Sequence, residues 1–244
     1  MKRLLVLVAA LAGCASFNFP ADFAYREIPA GAFRLAAWVK DAGTDEPLHV
    51  YIEGDGHAFD ARGRPAPDPT PRSAFFRKFA AEDPHPNVAY LARPCQFVRT
   101  TACSPKYWSG SRFAPEVIDS EYEAVRLLAR GRRVVLAGYS GGAQVAALIA
   151  ATKPLPVLKL VTVAGNLDHR AWTRSLKLAP LSGSLWLGDF RQAFAAVPQV
   201  HYAGSQDEVV DPQITRRFLP EPSTLVIVPG AGHASGWEGF VPAM

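Results

Sequence analysis

The residues with the clearest capacity for chemistry sit at one junction. Residues 134–150 read VVLAGYSGGAQVAALIA, an apolar run, then Gly138-Tyr139-Ser140-Gly141-Gly142, then a helix-like run. A turn needs one glycine, so three around one serine point to its hydroxyl. Small neighbours two positions away let the serine occupy a strained, γ-like turn that projects Oγ above a sheet edge and aims backbone N–H groups at whatever Oγ attacks. A serine hydroxyl is a weak nucleophile at neutral pH and needs a base that is held in turn by an acid. That chemistry is acyl transfer.

Among six histidines, His233 is the expected base, because it follows the last apolar run in a glycine-rich loop, Val228-Pro229-Gly230-Ala231-Gly232-His233. His57, close to the second strand-like run, is the runner-up. His49 and His201 lie inside strand-like runs and His85 in a proline-flanked loop, all read as structural, while His169 could line the site. For the acid, Asp207 stands three residues past Gly204, which ends a strand-like run. Asp168 is a further candidate, and Asp211 and Glu208 read as a helix cap and a solvated charge.

These residues require elements to position them. Strand-like runs are Phe33–Val39, Leu48–Glu53, Val88–Ala92, Arg133–Gly138, Val157–Ala164, Gln199–Ala203 and Thr224–Val228. Several are continuously apolar, as for central strands covered on both faces. Helical stretches are expected at Ser73–Ala81, Glu116–Arg130, Gly142–Ala151 and Gln213–Phe218, with a short helix at Asp168–Leu176 over the site. Glu116–Arg130 follows Pro115 and stops at Gly131, and its Ile118, Tyr122, Val125 and Ala129 form one stripe. Strands alternating with helices predict an α/β fold with a mostly parallel sheet. His57–Arg72, with four prolines, reads as a loop.

The chain order Ser140…Asp207…His233 is similar to that of the α/β-hydrolase superfamily. Gly138–Gly142 resembles its nucleophile elbow, Gly204…Asp207…Val210 its acid loop and Gly232-His233 its histidine loop. More narrowly, Tyr51-Ile52-Glu53-Gly54-Asp55-Gly56, Asp68-Pro69-Thr70-Pro71 and Leu91-Ala92-Arg93-Pro94-Cys95-Gln96 resemble a group of bacterial α/β-hydrolase lipoproteins with no substrate to lend. The resemblance implies a mostly parallel central sheet with helices on both faces and a small cap or none. Position by position, it puts the oxyanion hole at the amides of Asp55 and Gly141, with Gly56 as fallback donor. Glu53 and Asp55 are awkward there, since a site that stabilises negative charge does not tolerate bare carboxylates. Glu53 is expected against backbone amides or an arginine, Arg93 or Arg112, with Asp55 capping its own turn. Tyr139, Trp108, Trp172 and Phe59 could wall an apolar acyl pocket.

The expected reaction is hydrolysis of a carboxylic ester through an acyl-enzyme, without metal or organic cofactor; a thioester or peptide is the alternative. A catalytically silent envelope scaffold on the same fold is the competing reading. Haloalkane or epoxide chemistry would need a carboxylate at the elbow, where serine stands.

The chain has 244 residues, enough for one domain with a substantial core. Met1-Lys2-Arg3, the apolar Leu4–Ala12 and Leu11-Ala12-Gly13-Cys14 read as an export signal. The last four residues resemble a bacterial lipobox, which implies residues 1–13 as signal peptide, acylation of Cys14, a tether and lead-in segment over 14–29 and one domain over 30–244. Ala15 after that cysteine favours the outer membrane, so the expected location is its periplasmic face, with the lipid as membrane partner. In that oxidising compartment the remaining cysteines, Cys95 and Cys103, are expected to form a disulfide. Without Lys2 and Arg3 the chain carries 24 basic against 22 acidic side chains, scattered rather than clustered, which argues against nucleic acid as a partner.

Overall fold

Period-two alternation decides which face each strand side chain covers. In the strand Leu48–Ile52, Leu48, Val50 and Ile52 enter one buried cluster and Tyr51 enters another. The computed structural model describes residues 17–244; the leader and Cys14 lie outside them. Its strands are β1 (Ala24–Ala30), β2 (Phe33–Asp41), β3 (Leu48–Ile52), β4 (Asn87–Leu91), β5 (Val134–Tyr139), β6 (Val157–Val163), β7 (Gln199–Gly204) and β8 (Leu225–Val228). They form one eight-stranded sheet in the order β1-β2-β4-β3-β5-β6-β7-β8. The pairs β1·β2 and β2·β4 are antiparallel and all others parallel.

Helices cover both faces. α2 (Pro115–Ala129), α3 (Gly141–Thr152), α5 (Arg191–Ala195) and α6 (Pro212–Phe218) contribute to the cluster holding Leu48, Val50 and Leu136. α1 (Phe75–Glu82), together with Trp237 and Phe240 near the C-terminus, covers the face of Tyr51, Val135 and Val161. α4 (His169–Ser175) lies between β6 and β7, within the small cap segment. α2 begins on Pro115 and ends where Arg130 and Gly131 turn left-handed, with φ of 51° and 86°. Cys95 and Cys103 form a disulfide with Cα atoms 5.7 Å apart in the loop after β4.

One boundary differs from the expectation. Residues 24–29, expected within the tether, belong to β1, an edge strand paired along β2 from Ala24↔Val39 to Ala30↔Phe33. Its first four residues are exposed. An edge strand with one open face needs little apolar sequence, and Pro29 suits an edge.

Candidate functional site

The three glycines around Ser140 each answer to a neighbour. Ser140 takes φ 51° and ψ −118°, outside the ordinary regions for an L-residue. The turn that imposes this folds α3 back onto β5, so a Cβ on Gly138 would stand 2.5 Å from the Ala143 Cα. A Cβ on Gly142 would overlap the carbonyl oxygens of Ile52 and Glu53 at the end of β3, and one on Gly141 would overlap the Asp55 carboxylate. The elbow is therefore wedged between β3 and α3, with Oγ at the amino end of a 12-residue helix.

Ser140, His233 and Asp207 meet. Ser140 Oγ lies 3.0 Å from His233 Nε2, and His233 Nδ1 lies 2.9 Å from Asp207 Oδ2. The other oxygen, Asp207 Oδ1, accepts the backbone N–H groups of Val209 and Val210, each at 2.9 Å. Asp207 is buried, so its orientation is fixed on both sides. His57 lines the same cleft but makes no hydrogen bond to Ser140. Asp168 is engaged elsewhere: it caps α4 through the amides of Arg170 and Ala171 and accepts Trp186 Nε1 at 3.0 Å. Asp211 caps α6, and Glu208 is exposed. His169 is buried, with Nε2 toward the Leu185 carbonyl at 3.1 Å.

In the acidic loop after β3, Glu53 is buried against a backbone amide as expected, whereas Asp55 is placed differently. Glu53 is buried and accepts Gly54 N–H at 2.8 Å and the Tyr90 hydroxyl at 2.6 Å. Burial pushes its carboxyl above the usual range, against the pull of those donors. The arginines go to Asp55, which does not cap its turn. Arg112 Nη1 donates to Asp55 Oδ2, and Arg93 Nη1 reaches Asp55 Oδ1 at 3.5 Å. Arg112 is braced by the Ser109 carbonyl at 2.8 Å, and Arg93 by the carbonyl of Arg112. The side chain of Asp55 points toward Gly141, where two buried cations balance it. Among the described residues, neither the Asp55 nor the Gly141 backbone N–H meets a protein acceptor. Gly54 brings this loop against the nucleophile: a Cβ there would be 3.2 Å from Ser140 Cβ. Gln96 Nε2 pins the loop by donating to the Gly54 carbonyl at 3.0 Å. Two donors without acceptors beside a nucleophile can receive an oxygen that becomes negative.

No protein-family model matches the chain, and no curated protein does. Solved structures do. An alpha-beta serine hydrolase homologue from Coxiella burnetii is 17% identical with a TM-score of 0.58, covering 92% of this chain and 93% of its own. The esterase Pf2001 of Pyrococcus furiosus gives 16% and 0.61, covering 89% and 84%. A proline iminopeptidase of Mycobacterium smegmatis gives 14% and 0.60, covering 88% and 93%. The chain has the α/β-hydrolase fold. At these identities the likeness speaks for the scaffold, not for a substrate.

In this α/β-hydrolase scaffold Ser140 and His233 open onto a cleft of about 820 Å³. Phe59, Tyr139 and Trp172 are on its wall. Trp108, expected there, is instead buried in the core with its indole N–H on the Ala66 carbonyl at 3.0 Å. Of two further lining residues, Arg112 was expected beside Glu53 rather than Asp55, and Asn166 escaped the sequence reading. Arg112 lies across Phe59 and Trp172, 5.4 and 5.9 Å from their ring centres. Asn166 donates its backbone N–H to the Ser140 carbonyl at 3.0 Å, and its buried side-chain oxygen has no partner. Nothing local marks Asn166, which follows β6, and Arg112 sits in the loop before α2.

Proposed function

We propose that this protein is a serine hydrolase of the bacterial envelope that cleaves carboxylic esters through an acyl-enzyme. The observation that carries the reading is the single imidazole of His233 within hydrogen-bond reach of both Ser140 Oγ and Asp207 Oδ2. Ser140 Oγ–H donates to Nε2, and Nδ1–H donates to the carboxylate, so the tautomer needed by a general base is the one Asp207 holds. On attack, Oγ bonds to the ester carbonyl carbon while His233 takes the proton. The carbonyl oxygen becomes an oxyanion between the N–H groups of Asp55 and Gly141. Collapse breaks the bond to the alcohol, which takes the proton from His233, and water repeats the sequence to free the acid.

The cleft's size and its aromatic wall support an ester with an apolar acyl part. Acylation of Cys14 and the periplasmic face of the outer membrane remain part of the proposal, on the lipobox-like leader. The silent-scaffold alternative drew its support from the acidic loop, and the pairing of Asp55 with Arg93 and Arg112 weighs against it.

A fluorophosphonate probe tests the reading. It should form one covalent adduct, on Ser140, absent from Ser140→Ala and slowed by about 10³–10⁴-fold in Asp207→Asn. A folded wild-type chain that takes no label overturns the proposal, and undiminished labelling of Asp207→Asn overturns the role of Asp207 as the acid.

A further inference from the structure

Eight large apolar side chains are exposed among the described residues, and half of them gather at one place. Phe59, Leu178 and Val209 line the mouth of the cleft at 39%, 49% and 44% exposure, and Leu176, two residues from Leu178, is 43% exposed. Exposed apolar residues scattered singly need no explanation, whereas a contiguous group does. The local geometry holds them outward. α4 ends in a left-handed turn at Lys177, φ 55°, closed by Leu178 N–H to the Thr173 carbonyl at 2.8 Å. An apolar residue in the place of Leu178 ordinarily packs back on its helix, yet here it stands at the cleft mouth.

Cations frame the same rim. Arg62 and Arg64 flank Gly63, which lines the cleft; Arg72 lines it; Arg174 and Lys177 bracket Leu176; all five are exposed. The carboxylates nearby are Asp60, already bonded to Arg64 Nε at 3.0 Å, Asp68, which accepts Thr70 N–H at 2.8 Å, and Glu208 and Asp211 on either side of Val209 and Val210, four against five cations. Apolar side chains ringed by an excess of cations are the composition of a surface that enters the headgroup layer of an anionic membrane. The start of the described chain fits. The Phe17 ring lies 5.4 Å from the Arg77 guanidinium, on the helix whose Phe75 lines the cleft. Cys14, the acylation site of the proposed anchor, stands three positions before Phe17 in the sequence.

We propose that the cleft rim is a docking surface for an anionic lipid bilayer, so that the substrate enters from the membrane. This goes beyond the hydrolase reading, and its test is read without turnover. The full chain is reconstituted in phosphatidylcholine vesicles with and without phosphatidylglycerol, and backbone amide exchange is followed. Exchange at residues 59–64 and 174–180 should slow by about fivefold or more on the anionic vesicles alone, and α2 should be unaffected. High salt and Arg174→Glu/Lys177→Glu should remove the protection. Leu176→Ser should weaken it and serves as the second variant if the charge reversal perturbs folding. Equal exchange of the rim on both membranes overturns the proposal and leaves the patch to a protein partner, as does protection indifferent to these substitutions. A protected rim on a chain that takes no fluorophosphonate would sink the hydrolase reading alone.

Discussion

A carboxylate beside an oxygen that is becoming negative raises the barrier unless a cation stands next to it. Asp55 occupies that place, and Arg112 and Arg93 hold it. In the proposed mechanism Arg112 is therefore a positioning residue, acting on the reaction through Asp55. Arg112→Gln should lower kcat by about 10- to 100-fold with little change in KM. Adding Asp55→Asn should recover most of that loss, because the uncompensated charge is gone. A double variant as slow as Arg112→Gln would show that the arginine acts otherwise. The convergence of Ser140, Asp207 and His233 was legible in the sequence because each lies in a short glycine-marked loop just past an apolar run. The charge pairing was not. Arg112 is 57 positions from Asp55, and Tyr90 is 37 from Glu53. Which of two acids, two residues apart, meets the arginines depends on where each side chain points, and sequence spacing does not record it.

The β5–α3 junction ties stability to the site's geometry. Gly142 lies where any side chain would meet the carbonyl oxygens closing β3, which is rigid backbone rather than a movable side-chain end. Gly142→Ala should therefore destabilise the protein by about 3 kcal/mol, read from its urea midpoint at constant slope. It should also lower activity in the molecules that remain folded, since β3 carries the Asp55 loop. An unchanged midpoint would mean that the elbow has slack. At this scale the central strands were easy to read because both faces are covered and the runs are unbroken. β1 was not, since an edge strand exposes polar residues and resembles a tether. α5 was missed too: five residues, Arg191–Ala195, are too few for a period to appear.

Across the whole molecule, buried carboxyls set a pH dependence, and Glu121 contributes alongside Glu53. Glu121 on α2 is fully buried; desolvation pushes it up to about 8, although Arg93 Nε is 3.4 Å away and draws it down. A carboxyl whose folded pKa lies above its unfolded value of 4.5 stabilises the fold below that value and loses the contribution as pH rises to about 8. The loss is on the order of 4 kcal/mol. Glu121→Gln, which cannot ionise, should lessen the fall in stability across that window, leaving the part due to Glu53, and melt higher than the parent protein at pH 9 by about 10 °C. Coincident pH profiles for the two would refute it. Neither the group nor its depth was legible, because Glu121 looks like any surface position of an amphipathic helix until α2 is docked. What the molecule assembles around Ser140 is tested most directly by trapping the intermediate. Mixing the protein with an excess of a p-nitrophenyl ester and quenching in acid should give a burst of one p-nitrophenol per chain. The mass should rise by one acyl group, and the peptide that carries it should contain Ser140. A linear release from the first turnover, with acyl on no residue or on another one, would contradict the account.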